Sequence, residues 1–418
     1  MDNHIREAQT AEENTPRERV ILIGVSLDGD ESVARSLEEL AQLADTAGAL
    51  TVATVIQNRE RIHPGTYIGK GKIEEVKALL IAMDADGVIC DDELSPAQLN
   101  NLQHELECKV MDRTLLILDI FAGRAVTSEG KIQVELAQLR YRAARLVGLR
   151  DSLSRLGGGI GTRGPGEKKL ETDRRLIRSR ISALRRDLED VERHRELLRA
   201  GREARPTKTA AIVGYTNAGK STLLNLLTDA QVLSEDRLFA TLDPTSRVME
   251  LDDGQQVLLT DTVGFIRKLP HHLVEAFRST LEEARFADYI IHVADASNPQ
   301  VEMQMEVVYD TLKELGVVGK PVITLLNKQD LGTDDIRDPR ADHVLKISAR
   351  TGEGIEEFKK LMEELLSENL ILVERVYSYD QAGRIALIRE HGQLLREEYL
   401  PDGIAVTARV PKEIYGRI

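Results

Sequence analysis

Short apolar runs alternate with stretches of helical spacing in the first quarter of this chain. The apolar runs, each typical of a buried strand, lie at 20–25, 50–55 and 87–90. Apolar residues at helical spacing follow each run, near 31–47, 72–83 and 96–107. This alternation favours a parallel sheet flanked by helices. We therefore predict an N-terminal α/β domain over 19–128, preceded by a flexible polar tail at 1–18.

The middle of the chain follows a different pattern, with two long helical segments predicted at 130–155 and 167–205. The second segment has an apolar stripe at helical spacing, formed by Leu176, Ile177, Ile181, Leu184 and Leu188. Arginines crowd the same segment, at Arg174, Arg175, Arg178, Arg180, Arg185 and Arg186. The connection 156–169 contains six glycines and three cations. Glycine allows a partner to approach the backbone, and Arg or Lys contacts phosphate. We predict a basic helical hairpin over 129–205 whose loop, 157–169, contacts a partner; a simple flexible turn is the alternative.

Alternation of strands and helices returns in the last half of the chain and indicates a second α/β domain over 206–367. Beyond it, the pattern predicts a strand at 370–379, an amphipathic helix at 380–399 and a strand at 403–410. These elements form a small α+β domain, 368–418, which is too short to be well stabilised alone. The predicted fold class is therefore α/β, with two α/β domains, a long helical hairpin and a small C-terminal domain.

A glycine-rich motif lies between the apolar strand at 209–213 and the helix that follows it. It fits G-x-x-x-x-G-K-[ST] in full, with Gly214, Tyr215, Thr216, Asn217, Ala218, Gly219, Lys220 and Ser221. In this context the motif predicts a phosphate-binding loop, since its backbone N–H groups and the helix N-terminus favour phosphate. Lys220 is expected to reach the β- and γ-phosphates, and the Ser221 hydroxyl to bind Mg²⁺. Thr222, the next residue, completes the predicted phosphate contacts.

The sequence Asn327-Lys328-Gln329-Asp330 directly follows an apolar strand and predicts a guanine-binding loop. The Asp330 carboxylate can accept hydrogen bonds from N1–H and the 2-amino group of guanine. Adenine lacks this donor pair, and leaving a buried acid without partners is costly. Asn327 is expected to brace the loop, and the Lys328 stem to cover one face of the base. Ser348 and Ala349 follow another strand-like run, where the Ala349 N–H is predicted to meet guanine O6.

Two further segments are expected to surround Mg²⁺ and the γ-phosphate. The first, Asp261, Thr262, Val263 and Gly264, ends a predicted strand. In a P-loop GTPase the Asp holds Mg²⁺ through water and the Gly amide senses the γ-phosphate. The second contains Phe239, Ala240 and Thr241. We favour Thr241 as the residue that closes over Mg²⁺ when GTP is bound, and Thr245 is the alternative.

One expected group is missing directly after the segment Asp261–Gly264. Phe265 follows Gly264, at the position where many small GTPases have the glutamine that orients the attacking water. A phenyl ring neither donates nor accepts that hydrogen bond. We therefore predict slow intrinsic GTP hydrolysis and acceleration by a partner that supplies or orders the missing group.

Composition changes the picture mainly through charge. The chain has 418 residues and a formal net charge of −14. Residues 131–206, however, contain 20 Lys and Arg and 11 Asp and Glu, a charge of about +9, so the rest carries about −23. This asymmetry is a hint of a polyanion-binding element on an acidic body, and a solvated charged face is the alternative. No run of 18 apolar residues appears, and the two cysteines, Cys90 and Cys108, suit a reducing cytoplasm.

Motifs along nearly the whole chain resemble the HflX-type GTPase family. They include 64–71, 91–96, 112–114, 119–121, 138–139, 157–166 with 171–173, 239–244 and 261–266, besides the nucleotide motifs. The resemblance implies a cytoplasmic factor. We expect a monomer, and peripheral membrane attachment is left open. The resemblance also implies binding of GTP or GDP with Mg²⁺, and GTP-dependent separation of stalled or stress-inactivated ribosomes by binding the large subunit. The 129–205 hairpin and its loop would then reach ribosomal RNA near the peptidyl-transferase centre.

Two other functions stay open at this point. Some members of the family are credited with ATP binding by the N-terminal domain, so the alternative is an ATP-driven RNA-remodelling enzyme. It would require the loop 63–72 to bind phosphate, although this loop lacks the G-K-[ST] ending. A third function is a signalling switch that recruits a protein, and no RNA, through the hairpin.

Overall fold

The computed structural model describes residues 17–30, 32–156, 165–203, 207–228, 238–239, 242–269, 283–332, 336–368 and 370–418. Residues 1–16 of the predicted tail, 157–164 of the glycine-rich loop, Ala240 and Thr241 lie outside the described residues. The described residues form two compact units. One contains the residues up to 188 with 268 and 269, and the other contains 189–267 and 283–418. The finer domain boundaries stay a prediction.

The first unit begins with strands and helices in strict alternation. They are β1 (Arg19–Leu27), α1 (Ser32–Thr46), β2 (Leu50–Arg59), α2 (Lys70–Ala82), β3 (Gly87–Cys90), α3 (Pro96–Leu106), β4 (Lys109–Asp112) and α4 (Arg113–Arg124). The strands are parallel in the order β2-β1-β3-β4. The predicted parallel α/β fold is confirmed. The strand β4 and the helix α4 were not predicted.

Local capping determines where two of these helices begin. Ser95 and Gln98 form a capping box at α3: the Ser95 hydroxyl accepts from the Gln98 N–H, and the Gln98 side chain accepts from the Ser95 N–H. The Asp112 side chain accepts from Leu115 N and starts α4 directly after β4. As a result β4 and α4 have no loop between them, which hides their boundary in the sequence.

Two long helices follow, α5 (Ser128–Leu156) and α6 (Pro165–Glu203). Both were predicted, within two residues at each end. Arg180 on α6 donates to both carboxylate oxygens of Glu135 on α5, at 2.7 and 2.8 Å. Within the apolar stripe Leu184 is buried and Leu176 is 61% exposed.

The second unit is built on a larger sheet. Its elements are β5 (Lys208–Gly214), α7 (Lys220–Thr228), β6 (Thr245–Glu250), β7 (Gln256–Asp261), β8 (Tyr289–Asp295), α8 (Val301–Glu314), β9 (Val322–Asn327), β10 (His343–Lys346) and α9 (Ile355–Ser367). The strand order is β10-β9-β8-β5-β7-β6, and β6 is antiparallel to β7 while the other pairs are parallel. The central strand β5 is buried almost throughout. It delivers the phosphate motif at its carboxyl end, where parallel sheets bind ligands.

The C-terminal elements are β11 (Leu370–Tyr377), α10 (Ala382–His391), β12 (Gln393–Leu400), β13 (Gly403–Pro411) and α11 (Lys412–Tyr415). The predicted helix over 380–399 is wrong after its first half. At Gly392 the backbone becomes extended, with φ −121° and ψ −178°, and the following residues pair with β13 as an antiparallel strand. Tertiary pairing here overrides the helical pattern of the sequence. Arg409 also binds Asp253 at 2.9 Å, which joins this sheet to the β6–β7 turn.

Of the helices that the structure describes, none combines the length and the apolar character that a bilayer crossing needs.

Candidate nucleotide site

The phosphate loop connects β5 to α7 by a backbone path that requires glycine at two positions. Gly214 has φ +157°, and a Cβ there would lie 2.2 Å from the Val293 carbonyl oxygen. Gly219 has φ +97°, and a Cβ there would lie 2.3 Å from Nδ2 of Asn327. Any side chain at either position would therefore displace a strand or the Asn327 brace. Asn217 also has a left-handed backbone, with φ +62°.

Lys220 is the first residue of α7 and is almost fully buried. Its Nζ donates to two carbonyls of the loop, those of Gly214 at 3.2 Å and Tyr215 at 2.8 Å. Burial lowers the pKa of this ammonium group to about 8, although Asp261 acts in the opposite direction. The lysine thus lies inside the loop with weak partners that a phosphate can replace.

Two of the predicted Mg²⁺ ligands meet beside this lysine. The Ser221 hydroxyl donates to Oδ2 of Asp261 at 2.7 Å, and Asp261 is fully buried at the end of β7. A hydroxyl and a carboxylate this close form the oxygen donor set that a hard divalent cation prefers. Thr245 starts β6 and pairs in register with Asp261. The favoured residue, Thr241, lies with Ala240 outside the described residues, whereas Phe239 is described and buried with φ +56°.

The segment after Asp261 packs tightly on the phosphate loop. Thr262 donates through its hydroxyl to the Ile212 carbonyl at 2.8 Å, and Val263 is buried. A Cβ at Gly264 would lie 2.8 Å from Cγ2 of Thr216 and 3.0 Å from Nζ of Lys220. The backbone of Gly264 therefore lies directly against the phosphate loop.

Phe265 is held to the same loop by its backbone. Its N–H donates to the Gly214 carbonyl at 3.1 Å, and its carbonyl accepts from the Thr216 N–H at 2.8 Å. The Phe265 side chain is 2% exposed. The residue that replaces the catalytic glutamine thus points its ring into the protein interior.

The guanine motifs converge on one side chain, Asn327, at the end of β9. Its Nδ2 donates to the Ala218 carbonyl at 2.8 Å, and its Oδ1 accepts from the Ala349 N–H at 2.8 Å. The predicted brace therefore connects the phosphate loop to the second guanine segment. Because the Ala349 N–H already has Asn327 as acceptor, its predicted bond to guanine O6 requires this N–H to be shared.

The remaining guanine residues are held by side-chain contacts. Ser348 is buried and donates to Oδ1 of Asp330 at 2.7 Å. Lys328 has φ +67° and forms an ion pair with Asp295 at 2.7 Å. These contacts hold the Asp330 carboxylate and the Lys328 stem at one edge of the sheet, together with the phosphate loop.

Some residues of the site act through tertiary contacts that the sequence pattern does not predict. The Tyr215 hydroxyl accepts from the Arg267 N–H at 2.8 Å, and Asp295 anchors Lys328. Asp295 ends a buried strand, as Asp261 does, and this position is the signal that could have found it. The partners of Tyr215 have no such signal in the sequence.

Polar groups of the loop 63–72 form hydrogen bonds with other groups of the first unit. The His63 Nδ1 accepts from the N–H groups of Gly65 and Thr66, at 3.2 and 3.1 Å. The Gly69 N–H donates to the Gln57 side chain at 2.9 Å. These contacts favour a plain structured connection, and ATP binding by this domain has no support from its geometry.

Three family models match the chain. They are described as GTP-binding GTPase N-terminal, over residues 34–122, GTP-binding GTPase Middle Region, over 124–202, and 50S ribosome-binding GTPase, over 209–328. The motifs on the larger sheet, with the last of these matches, define a P-loop GTPase, an enzyme that binds GTP and GDP and hydrolyses GTP.

Full-length relatives define the family within this class. The chain is 64% identical over 403 residues to GTPase HflX of Lacrimispora saccharolytica, which covers 96% of this chain and 95% of that protein. It is 42% identical over 401 residues to GTPase HflX of Escherichia coli K12, which covers 94% and 93%. A solved GTP-binding protein from Sulfolobus solfataricus in complex with GDP is 25% identical, with a TM-score of 0.44, and covers 84% of this chain and 99% of that one. Because these two HflX relatives match nearly the whole chain, the chain belongs to the HflX GTPase family.

Proposed function

We propose that this GTPase is a ribosome-splitting factor. In its GTP form it binds the large ribosomal subunit through the 129–205 hairpin and separates stalled or stress-inactivated ribosomes. Hydrolysis of GTP is slow in the free protein and is stimulated by the ribosome. The factor acts in the cytoplasm as a monomer.

The nucleotide residues have distinct roles in this proposal. Lys220 neutralises the β- and γ-phosphates, and the Gly264 amide responds to the γ-phosphate. Asp330 selects guanine, with Asn327 and Ser348 holding the base loops. Ser221, Asp261 and Thr241 hold Mg²⁺, which would neutralise charge on the phosphates when bound. The 2.7 Å contact between Ser221 and Asp261 supports this pair of oxygen donors.

The observation that carries the ribosome proposal is the exposed basic surface of α6, a helix of 39 residues. Arg175, Arg178, Arg185 and Arg186 are exposed along it. An RNA phosphate backbone is recognised by such cations without the aromatic platform that single-strand binders use. The description 50S ribosome-binding GTPase, which belongs to the family model matched at 209–328, supports the same partner.

The binding test is co-sedimentation with purified large subunits at several salt concentrations. We expect the wild type to pellet with a non-hydrolysable GTP analogue and to be released with GDP. The double variant Arg178→Glu/Arg185→Glu should bind at least about tenfold more weakly with a shallower salt dependence, because counterion release scales with phosphate contacts. Arg35→Glu, which changes an exposed arginine on α1, is the matched control. Association independent of GTP and of α6 charge would contradict the proposal.

Stimulation of hydrolysis is tested by GTP turnover with and without ribosomes. The buried Phe265 ring offers no group to orient water, so the free protein should turn over slowly. Fast turnover by the isolated chain would contradict the partner-dependent part of the proposal. A sucrose-gradient assay for free subunits then tests splitting itself.

A further inference from the structure

Lys328 lies in the predicted guanine motif with its backbone in a conformation that side chains rarely adopt. Its φ is +67°, in the left-handed region that favours glycine. A residue persists there only when the surrounding contacts stabilise it. On one side the Ala296 N–H donates to the Asn327 carbonyl at 2.9 Å, and on the other the Gln329 N–H donates to the Ile347 carbonyl at 3.2 Å. The backbone of Lys328 is therefore fixed between two bonded neighbours.

The other end of the Lys328 side chain is fixed by Asp295. Asp295 ends β8 and pairs in register with Asn327, the last residue of β9. Lys328 Nζ lies 2.7 Å from Oδ2 of Asp295, and the two side chains are 25% and 14% exposed. The flexible stem of the lysine is therefore held at both ends, by its left-handed backbone and by the carboxylate.

The Asp295 carboxylate is itself held in place by Ser297. Its Oδ1 accepts from the Ser297 N–H at 3.1 Å and from the Ser297 hydroxyl at 2.6 Å. This is the turn that an aspartate forms with the backbone two residues further on. The two carboxylate oxygens thus have separate partners, Ser297 for Oδ1 and Lys328 for Oδ2. Asp295→Asn can therefore remove the ion pair and leave the turn, because the asparagine oxygen accepts the same bonds as Oδ1.

We propose that Asp295 is a positioning residue for the guanine base, which holds the Lys328 stem in its base-binding position before the nucleotide arrives. Ordering a long, flexible side chain on binding costs affinity, and a contact that orders it beforehand removes that cost. The lysine stem offers an apolar face while its ammonium keeps a charged partner. The inference deepens the nucleotide-binding part of the proposed function and rests on the predicted contact between this stem and guanine. It does not depend on the ribosome proposal.

The test is the dissociation constant of GDP, measured by isothermal titration of the full-length chain. Asp295→Asn should weaken binding by about 3- to 10-fold, which is the cost of ordering one lysine side chain. Lys328→Met keeps an apolar stem of similar length and loses the ammonium, so it should weaken binding by the same factor. Lys328→Ala removes the stem as well and should weaken binding further.

A double variant decides whether Asp295 acts through Lys328. In the Lys328→Met background, Asp295→Asn should cause no further loss of GDP affinity, because the ammonium that the carboxylate holds is already gone. A merely structural role of Asp295, or an effect of its charge on the phosphates, would persist in that background. An equal loss in both backgrounds would therefore overturn the proposal.

Asp288→Asn is the matched control. Asp288 directly precedes β8, at the opposite end of that strand from Asp295. It pairs with Lys208 at 2.9 Å and accepts from the Thr209 N–H at 2.9 Å. Its substitution removes a comparable ion pair away from the nucleotide edge, so GDP affinity should stay within about twofold of the wild type.

The remaining outcomes also decide the proposal. If Lys328→Ala weakens binding and Asp295→Asn does not, the proposal is wrong and the predicted contact between stem and guanine is unaffected. If neither variant weakens binding, that contact is wrong and the proposal is wrong with it. If Asp295→Asn does not fold, Lys328→Met decides, because it breaks the same ion pair: wild-type affinity would contradict the proposal.

Discussion

The two parallel sheets of this protein end in very different polar clusters. At the carboxyl edge of the smaller sheet, Asp91 follows β3 and Asp112 ends β4. Asp91 accepts from Ser36 at 2.8 and 3.0 Å and from Arg113 at 3.0 Å. Lys268, which belongs to the same unit, adds contacts to Asp91 and Asp92 at 2.5 and 2.6 Å. This edge is occupied by the protein's own cations.

Asp112 is satisfied just as completely. Tyr141 donates to Oδ1 at 2.8 Å, Arg145 donates to Oδ2 at 2.7 Å, and the Leu94 and Leu115 amides donate as well. Burial opposes ionisation of Asp91, but Lys268 and Arg113 outweigh it and hold the pKa of that carboxyl below its ordinary value. Because both carboxylates have cationic partners inside one unit, they are a structural feature.

At the carboxyl edge of the larger sheet some polar groups are also paired internally, as Ser221 is with Asp261 and Lys328 with Asp295, but the buried cation of the phosphate loop is held differently. Among the described residues, Lys220 donates hydrogen bonds to backbone carbonyls alone, and the buried Thr216 hydroxyl has no partner. Strand topology alone, therefore, does not make a site at this edge of an α/β sheet. The difference lies in the buried cation at each edge: Arg113 pairs with the carboxylates of Asp91 and Glu39, whereas Lys220 donates to the backbone carbonyls of Gly214 and Tyr215.

The largest expected effect comes from a substitution at the carboxyl edge of the smaller sheet, called the closed edge because its carboxylates pair with cations of the protein. Arg113 is 1% exposed and pairs with Asp91 and with Glu39. Arg113→Met should lower the free energy of unfolding by about 3–5 kcal/mol, because Glu39 loses its guanidinium partner and the buried Asp91 keeps only Lys268 as a cation. Denaturant unfolding followed by circular dichroism measures this loss.

The control for Arg113→Met separates the effect of burial from the effect of removing a charge. Arg17→Met removes an ion pair with Asp45 that is half exposed on both sides, and such pairs contribute about 0.2–1 kcal/mol. Affinity for GDP should be unchanged within about twofold in Arg113→Met. A stability loss below about 1 kcal/mol, or a large loss of nucleotide affinity in the folded variant, would remove the distinction between the two edges.

The next effect concerns selection of the guanine base at the carboxyl edge of the larger sheet, called the open edge. Asp330→Asn should weaken GTP binding by about 10- to 100-fold, because the amide cannot accept both guanine donors and a site built for a hydrogen bond penalises its loss. Xanthosine triphosphate has a carbonyl where guanine has its 2-amino group. The variant should therefore bind it better than the wild type does, as measured by competition with a fluorescent nucleotide.

Asp310→Asn, an exposed position on α8, is the control for the loss of one negative charge. Ser348 donates to Oδ1 of Asp330 in the wild type and can equally donate to the Asn oxygen, so the loop should remain folded. Unchanged discrimination between GTP and xanthosine triphosphate would refute the role of Asp330.

The sequence could predict the open edge far better than the closed one. Gly214–Lys220, Asp261, Asn327 and Asp330 lie in motifs whose local spacing determines their chemistry. The closed edge depends on partners distant in sequence; Glu39 and Arg113 are separated by 74 residues. Strand pairing also overrides the helical pattern at β12, which forms an antiparallel hairpin with β13. The unpaired Thr216 hydroxyl likewise becomes visible only when its surroundings are known.

The smallest expected effect uses pH to test how open the nucleotide edge is. The Lys220 pKa is lowered to about 8 by burial, so the free protein holds its ammonium below pH 8 and loses it above. Phosphate binds the charged form. Affinity for GDP should therefore be nearly constant from pH 6.5 to 7.5 and fall about tenfold by pH 9, in proportion to the charged fraction. In Lys220→Met, which binds more weakly at every pH, this fall should disappear. Isothermal titration over that range measures both. An equal decline in the variant would mean that another group titrates, and the assignment of the pH dependence to Lys220 would be wrong.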